Sequence, residues 1–312
     1  MVKLSRLLNL LISIRYFHLT YKVNKIKKEI LASDECVILG NGPSLKDSFD
    51  EDISFIKNKK KVCVNSFAES KYYAELKPEF YILADPLFWD KDYKSIFDSI
   101  SKIDSLGENS SSETLGNINA YKKLKLVKDN LFKSLVEKTK WRLNLFVPLH
   151  SKPSKVFEDL ATRNNNINVI YYSAIPINFK LSFFRHISYT LNIGMPTPQN
   201  VLIAAIFLAL KINFKKIYLI GADHSWHEDL VLDENNILCL KDKHFYNQNE
   251  IKLTPLVGDI KNGTITKMHE QYYALYLTFR SHMFCESYSK KLNSLIANYS
   301  KKTYIDAYER KK

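Results

Sequence analysis

Glycine is scarce here: 8 of 312 residues, beside 9 prolines. That excludes collagenous and low-complexity architectures and makes the place of each glycine informative. Cysteine is sparser still. Cys36, Cys63, Cys239 and Cys285 stand apart, with no CxxC pair and no zinc-like spacing, so a reduced, intracellular protein is expected. In the N-terminal segment the longest uncharged run, Leu7–Ile14, is eight residues, far short of the roughly 20 that span a bilayer. No small-residue cleavage site follows it, so no signal peptide is expected. Acidic residues are in deficit, 33 against 46 Lys and Arg, for a net charge of +13. An excess of that size points to an anionic partner: nucleotide, phosphate, nucleic acid or an acidic membrane surface. The basic residues are spread along the chain, Arg is rare beside Lys, and no nucleic-acid-binding motif occurs, which sets nucleic acid aside.

What remains is ample apolar material. At 46% hydrophobic and 25% charged residues, the chain can bury a sizeable core. Residues 1–31 form the first unit. Leu4, Leu7, Leu8, Leu11 and Ile14 recur at helical spacing among Lys3, Arg6 and Arg15, and Lys22, Lys25, Lys27 and Lys28 follow. That pattern suits a helix lying on an anionic membrane surface; its plain alternative is a helix packed on the domain.

Residues 32–312 read as one α/β domain. Cys36–Leu39, Val62–Asn65 and Phe80–Asp85 are short apolar strands linked by helical material, the β-α-β-α-β order of a mostly parallel sheet with helices on both faces. The chain turns polar from Ser99 to Asn119, as a loop or lid does, and the insertion is placed at about 99–175. Further strands are expected at Leu143–Leu149, Ile167–Tyr172 and Ile217–Asp223. Thr197 and Pro198 are expected to cap and open an apolar helix. A hairpin is expected over Leu230–Leu240, a mostly helical stretch over Glu270–Asn298, and a final strand at Thr303–Ala307.

Ligands of open parallel sheets bind beyond the carboxyl ends of the strands. Four such ends are polar or glycine-rich here: Gly40-Asn41-Gly42, Asn65-Ser66, Asp85-Pro86 and Gly221-Ala222-Asp223-His224. In the first, Pro43-Ser44 starts a helix, whose backbone N–H groups favour a phosphate or ribose; its plain alternative is a strand–helix turn. Leu45 stands where a dinucleotide fingerprint needs glycine, and no Walker loop occurs. Five of eight histidines, His224, His227, His244, His269 and His282, fall late in the chain. Their spacing is poor for a metal and no HExxH occurs. Asp50-Glu51-Asp52 and Asp90-Lys91-Asp92 follow no strand directly and read as solvated charge. His269, just before a long helix, reads as a general base or as a helix-capping residue.

Taken together, Ile38-Leu-Gly-Asn-Gly-Pro-Ser-Leu45, Val62–Asn65, the Thr197 helix start, Lys216–Asp223, His269 and Tyr304–Tyr308 resemble one family pattern. It is that of the bacterial CMP-sialic-acid transferases and the related motility-accessory-factor and pterin-diphosphokinase-like proteins. The resemblance implies a modified Rossmann-like fold that binds CMP on the strand tips. Gly40, Asn41, Gly42 and Ser44 would hold ribose and phosphate, and Asn65 and Asp85 the nucleotide. Thr197, Gly221, Asp223 and His224 would line its pocket, and His269 would deprotonate the acceptor hydroxyl. These transferases hold the leaving phosphate with aromatic hydroxyls after the Gly-x-Asp strand. Here His224-Ser-Trp-His227 stands there, so His224, His227, Lys243, His244 or Tyr246 would have to substitute.

The expected activity is inverting transfer of an acidic sugar, sialic-acid-like or Kdo-like, from a CMP donor. The acceptor would be a cell-surface glycan or lipid-linked saccharide. Sugar–phosphate cleavage passes through an oxocarbenium-like state, and the protein must neutralise charge growing on the phosphate. A CMP leaving group carries one phosphate, so no cofactor is expected to be required and a divalent metal is not expected to be essential. The expected place is the cytoplasm, against the inner face of the membrane. The competing readings are a metal-dependent nucleotide-diphosphosugar transferase, a pterin diphosphokinase-like enzyme and a non-catalytic scaffold of the same fold.

Overall fold

The computed structural model describes residues 34–90, 93, 112–242, 252–259 and 264–310. Segment 1–31, the polar residues 99–111, Lys243, His244 and Tyr246 lie outside the described residues.

The strands β1 (Glu35–Leu39), β2 (Lys60–Val64), β3 (Phe80–Ile82), β4 (Leu143–Pro148), β5 (Ile167–Tyr172) and β6 (Lys216–Ile220) belong to one sheet. An antiparallel trio, β7 (Leu230–Leu232), β8 (Leu238–Asp242) and β9 (Lys252–Pro255), follows, then a pair, β10 (Val257–Asp259) and β11 (Thr264–Ile265). The chain then returns to the main sheet with β12 (Leu295–Asn298) and β13 (Glu309–Arg310). The main sheet runs β13-β12-β6-β1-β2-β3-β4-β5, and all of its pairings are parallel.

Alternation along β1 sends its side chains to two cores. Cys36 and Ile38 join Val62, Val64, Phe80 and Ile82 on one face. Val37 and Leu39 join Cys63 and Tyr81 on the other. The helices α1 (Leu45–Lys57), α2 (Tyr72–Leu76), α3 (Ser112–Lys138) and α4 (Val156–Arg163) supply Phe49, Ile56, Tyr73, Leu131, Leu135 and Phe157 to that second core. The first face is covered by α5 (Ser182–Thr190), α6 (Val201–Ile212) and α7 (Met268–Lys291). Every residue of α6 except Val201 and Lys211 is buried, which is why its sequence is apolar all round. Each large aliphatic side chain so buried stabilises the fold by about 2 kcal/mol.

Four expectations are corrected. The insertion does not extend over 112–175, because that stretch supplies α3, β4, α4 and β5 of the main fold; all six residues of β4 are buried, as in an interior strand. The cap of α6 is Asn200 rather than Thr197: its Oδ1 accepts from Leu202 N at 2.9 Å and Ile203 N at 3.1 Å. Asparagine is the stronger N-cap, and Pro198 therefore precedes the helix. The late helix stops at Lys291 because Asn293 turns left-handed at φ 52°. Asn293 N then bonds Lys290 O and Ser294 N bonds Ser289 O, closing the helix end and freeing Leu295–Asn298 to be a strand. Residues 303–307 are not a strand; they are tied to the loop after β6, as set out below. The hairpin is present, with Leu230 opposite Leu240 and Leu232 opposite Leu238. Among the described residues, no helix is long and apolar enough to cross a membrane.

Candidate functional site at the switch point of the sheet

β1 pairs with β2 on one side and β6 on the other. Strands β2 to β5 extend the sheet one way, and β6, β12 and β13 the other. The loops leaving β1 and β6 meet at that point, and a cleft opens beyond the strand ends, where ligands of open α/β sheets bind. The cleft is about 540 Å³ and is lined by residues 40–43, 64–65, 84–86, 198–202, 221–226 and 229. That volume suits a small organic ligand.

The fold brings Gly40, Asn41, Gly42, Asn65, Asp85, Gly221, Asp223 and His224 together on this lining. Ser44 and Thr197 are not part of it. Thr197 is held on both sides: its Oγ1 accepts from Asn178 at 2.6 Å and its carbonyl from the Ser281 hydroxyl at 3.0 Å. His269 stands exposed in the first turn of α7 and does not line the cleft. His227 packs edge-on against the Tyr304 ring, centroids 4.3 Å apart, also off the lining.

The glycines serve an interlock between the two loops. Gly42 N donates to Gly221 O at 2.9 Å, and Gly40 N to Ile220 O at 2.8 Å. A Cβ on Gly40 would lie 2.3 Å from Gly221 O, and one on Gly42 2.6 Å from the same atom. Gly221 itself adopts φ +68°, a conformation that suits glycine. At the start of α1 the anion is the chain's own: Asp223 Oδ2 accepts from Ser44 N at 2.8 Å and Oδ1 from the Ser44 hydroxyl. A carboxylate there also meets the positive end of the helix dipole. Burial holds the Asp223 carboxyl above the usual carboxylate range, against the opposing pull of the Ser44 bonds.

The chain's last segment supports this loop from behind. Ala222 N donates to Ser300 Oγ at 2.8 Å, the Thr303 hydroxyl to Ala222 O at 2.7 Å, and Tyr304 N to Asp223 O at 2.9 Å. His224 and Asn65, in the loops that follow β6 and β2, have left-handed backbones at φ 55° and 47°. Asn and His tolerate that region better than most residues, and such conformations gather at ligand sites. The Asn65 Oδ1 is buried and carries no hydrogen bond among the described residues.

Behind His224 runs a buried polar chain. Its Nε2 lies 2.8 Å from His282 Nε2 and 3.1 Å from Asn200 Nδ2, and His282 Nδ1 lies 2.9 Å from the Tyr308 hydroxyl. Desolvation pushes His224 down to about 3 and His282 well below its ordinary value, so both rings are neutral. The Trp226 ring lies tilted against His224, centroids 4.5 Å apart, and is 43% exposed. It offers the cleft a face for stacking.

Among the described lining residues the charged groups are Asp85, Asp223 and Asp229, and none is Lys or Arg. Asp85 caps the short turn Pro86–Phe88, accepting from Leu87 N at 2.9 Å, and burial raises its carboxyl. The described residues include no cluster of three or more His, Cys, Asp or Glu placed to hold a metal. The described lining thus suits hydroxyls and a base edge. Any phosphate here must be met by neutral N–H donors, or by groups outside the described lining.

Sequence reasoning missed Asn200, Trp226 and Tyr308, and read His282 only as one of a loose group. A signal for His282 existed. Leu275, Thr278, His282, Cys285 and Ser289 recur at three- and four-residue steps and are all buried, the spacing of an inward stripe.

These features define an open, doubly wound α/β protein with a polar ligand cleft at its switch point. No family model and no curated protein matches the chain. Among solved structures, the MAf glycosyltransferase from Magnetospirillum magneticum AMB-1 is similar over 90% of this chain and 34% of that one, at 12% identity and a TM-score of 0.43. The chain spans about a third of that protein's length.

Proposed function

We propose that the protein is a glycosyltransferase that moves an acidic sugar from a CMP-activated donor to a cell-surface glycan or lipid-linked acceptor. The observation that carries this reading is the convergence of Gly40–Gly42, Asn65, Asp85 and Gly221–His224 on one cleft at the switch point. In this reading Asp85 and Asn65 bind ribose or base, Trp226 stacks, and His224 faces the phosphate. The donor needs no resident cofactor. The acceptor oxygen attacks the anomeric carbon opposite the phosphate, CMP leaves, and the sugar is transferred with inversion.

Two groups compete to activate the acceptor. The family resemblance assigns His269, which stands off the cleft. Asp85 lines the cleft with a carboxyl raised by burial, the shift that makes a carboxylate a better base near neutrality. The second reading is a metal-dependent nucleotide-diphosphosugar transferase. It would draw on Asp85, since no three His, Cys, Asp or Glu side chains among the described residues are placed together to hold a metal.

Thermal stabilisation against CMP, CDP, UDP, GDP, ATP and AMP, with and without EDTA, separates these readings. A CMP shift that survives EDTA supports the first. A shift with UDP or GDP that EDTA abolishes supports the second, and no shift with any nucleotide overturns both.

A further inference from the structure

Asn200 fixes the direction of the buried polar chain. Its Oδ1 is committed to the two amides it caps, Leu202 N and Ile203 N. Its Nδ2 is therefore the atom that faces His224 Nε2 at 3.1 Å. An amide nitrogen only donates, so His224 Nε2 must be the unprotonated, accepting nitrogen. His282 Nε2, 2.8 Å away, must then carry its own proton and donate it to the same atom. The neutral His282 ring consequently accepts at Nδ1, and the Tyr308 hydroxyl donates to it across 2.9 Å. The hydrogen bonds linking Asn200, His224, His282 and Tyr308 therefore run in one sense, set by the Asn200 amide.

From this geometry we propose that His224 is a neutral imidazole locked with its proton on Nδ1, and that it presents this N–H to an oxygen acceptor in the cleft. The inference rests on the nucleotide reading above for the identity of the acceptor, a phosphate oxygen. The lock itself does not depend on that reading. No described residue takes up the Nδ1 of His224, and His224 is part of the cleft lining. A neutral donor is also what this lining requires, since its described charges are all carboxylates. His224 is thereby excluded as a base, because its one basic nitrogen is held by two donors.

The test reads the tautomer directly, by two-bond ¹H–¹⁵N correlation on the full-length, ligand-free protein at pH 7. The expected pattern for His224 is Nδ1–H with a bare Nε2. An Nε2–H pattern or an imidazolium overturns the lock. Asn200→Asp is the decisive variant, because aspartate still caps α6 but offers His224 an acceptor in place of a donor. The proton on His224 should move to Nε2, and His282 should reverse with it; an unchanged tautomer overturns the assignment. Tyr308→Phe, which leaves Asn200 in place, should keep His224 as Nδ1–H.

With CMP, cytidine and inorganic phosphate as probes, the Nδ1 proton should shift on CMP or phosphate and not on cytidine. CMP affinity should fall roughly tenfold in Asn200→Asp as this donor is lost. If CMP binds without moving that proton, the donor role is overturned. If CMP does not bind while the tautomer is as stated, the nucleotide reading fails and the lock stands.

Discussion

Asp223 at the end of β6 holds Ser44 at the start of α1 through both carboxylate oxygens, across 179 residues of chain. One oxygen takes the backbone N–H and the other the hydroxyl, so this single side chain caps the helix and fixes the loop leaving β1 against the loop leaving β6. Asp223→Ala should therefore destabilise the protein by about 3 kcal/mol, since bonds to a charged group contribute roughly 1.5–3 kcal/mol each. Ser44→Ala keeps the amide bond and should lose about 1 kcal/mol. Urea midpoints measure both. If Asp223→Ala unfolds at the wild-type midpoint yet loses nucleotide binding, Asp223 is a ligand residue first.

The same pair shows what a sequence can and cannot disclose. That Asp223 and Gly40–Gly42 come together was legible because each follows an apolar strand, and open sheets place strand ends together. Their mutual bond was not legible. Nothing local tells that the helix start is met by a carboxylate from the sixth strand rather than by a ligand's phosphate. His282 and Tyr308 were hidden for a similar reason: they lie 58 and 84 residues beyond His224, and only the docking of α7 and the closing segment beside β6 joins them. The cap of α6 was missed locally, where Thr197-Pro198 outshone the better Asn200. The main sheet, by contrast, was largely readable, because buried parallel strands are short, apolar and nearly uninterrupted.

The neutral histidines make stability depend on pH. Burial depresses His224 to about 3 and His282 well below its ordinary value, and also lowers His150 and His186. As pH falls through about 6.5 the unfolded chain takes up protons that the folded one refuses, so folding loses free energy. For His224 the loss continues until about pH 3. Asp85 and Asp223 act oppositely at lower pH, because their raised values let the folded state bind protons first. Between pH 7 and 5.5 His224 and His282 should each withdraw about 1 kcal/mol. Chemical denaturation at several pH values should show stability falling over that interval, and His224→Gln should flatten the slope. A flat wild-type profile would contradict a neutral buried pair.

Gly40 tests the interlock. An alanine Cβ there would stand 2.3 Å from Gly221 O and 2.9 Å from Gly221 C. Both are backbone atoms in the next strand's loop and cannot swing aside, so β1 and β6 must separate locally. Gly40→Ala should cost at least about 2–3 kcal/mol, the range of overpacked cores, and lower the melting temperature by several degrees. A variant as stable as wild type would mean that the two loops are not in contact.

The acceptor-activating group is decided by comparing Asp85→Asn with His269→Ala. Asparagine keeps an oxygen for Leu87 N, so the Pro86–Phe88 turn survives while the basic carboxylate is lost. His269 is exposed, so its removal leaves packing intact. If Asp85 is the base, Asp85→Asn should reduce kcat by about 10²–10⁴-fold, the usual contribution of a general base, beyond any loss of CMP affinity from its contact with ribose or base, while His269→Ala keeps full turnover. If His269 is the base, the losses exchange places, and closure over the acceptor must then carry α7's first turn to the cleft. A pH–rate profile distinguishes the two further. The limb reporting the base should disappear in the variant that lacks it, and a limb that persists in both variants would exclude both groups.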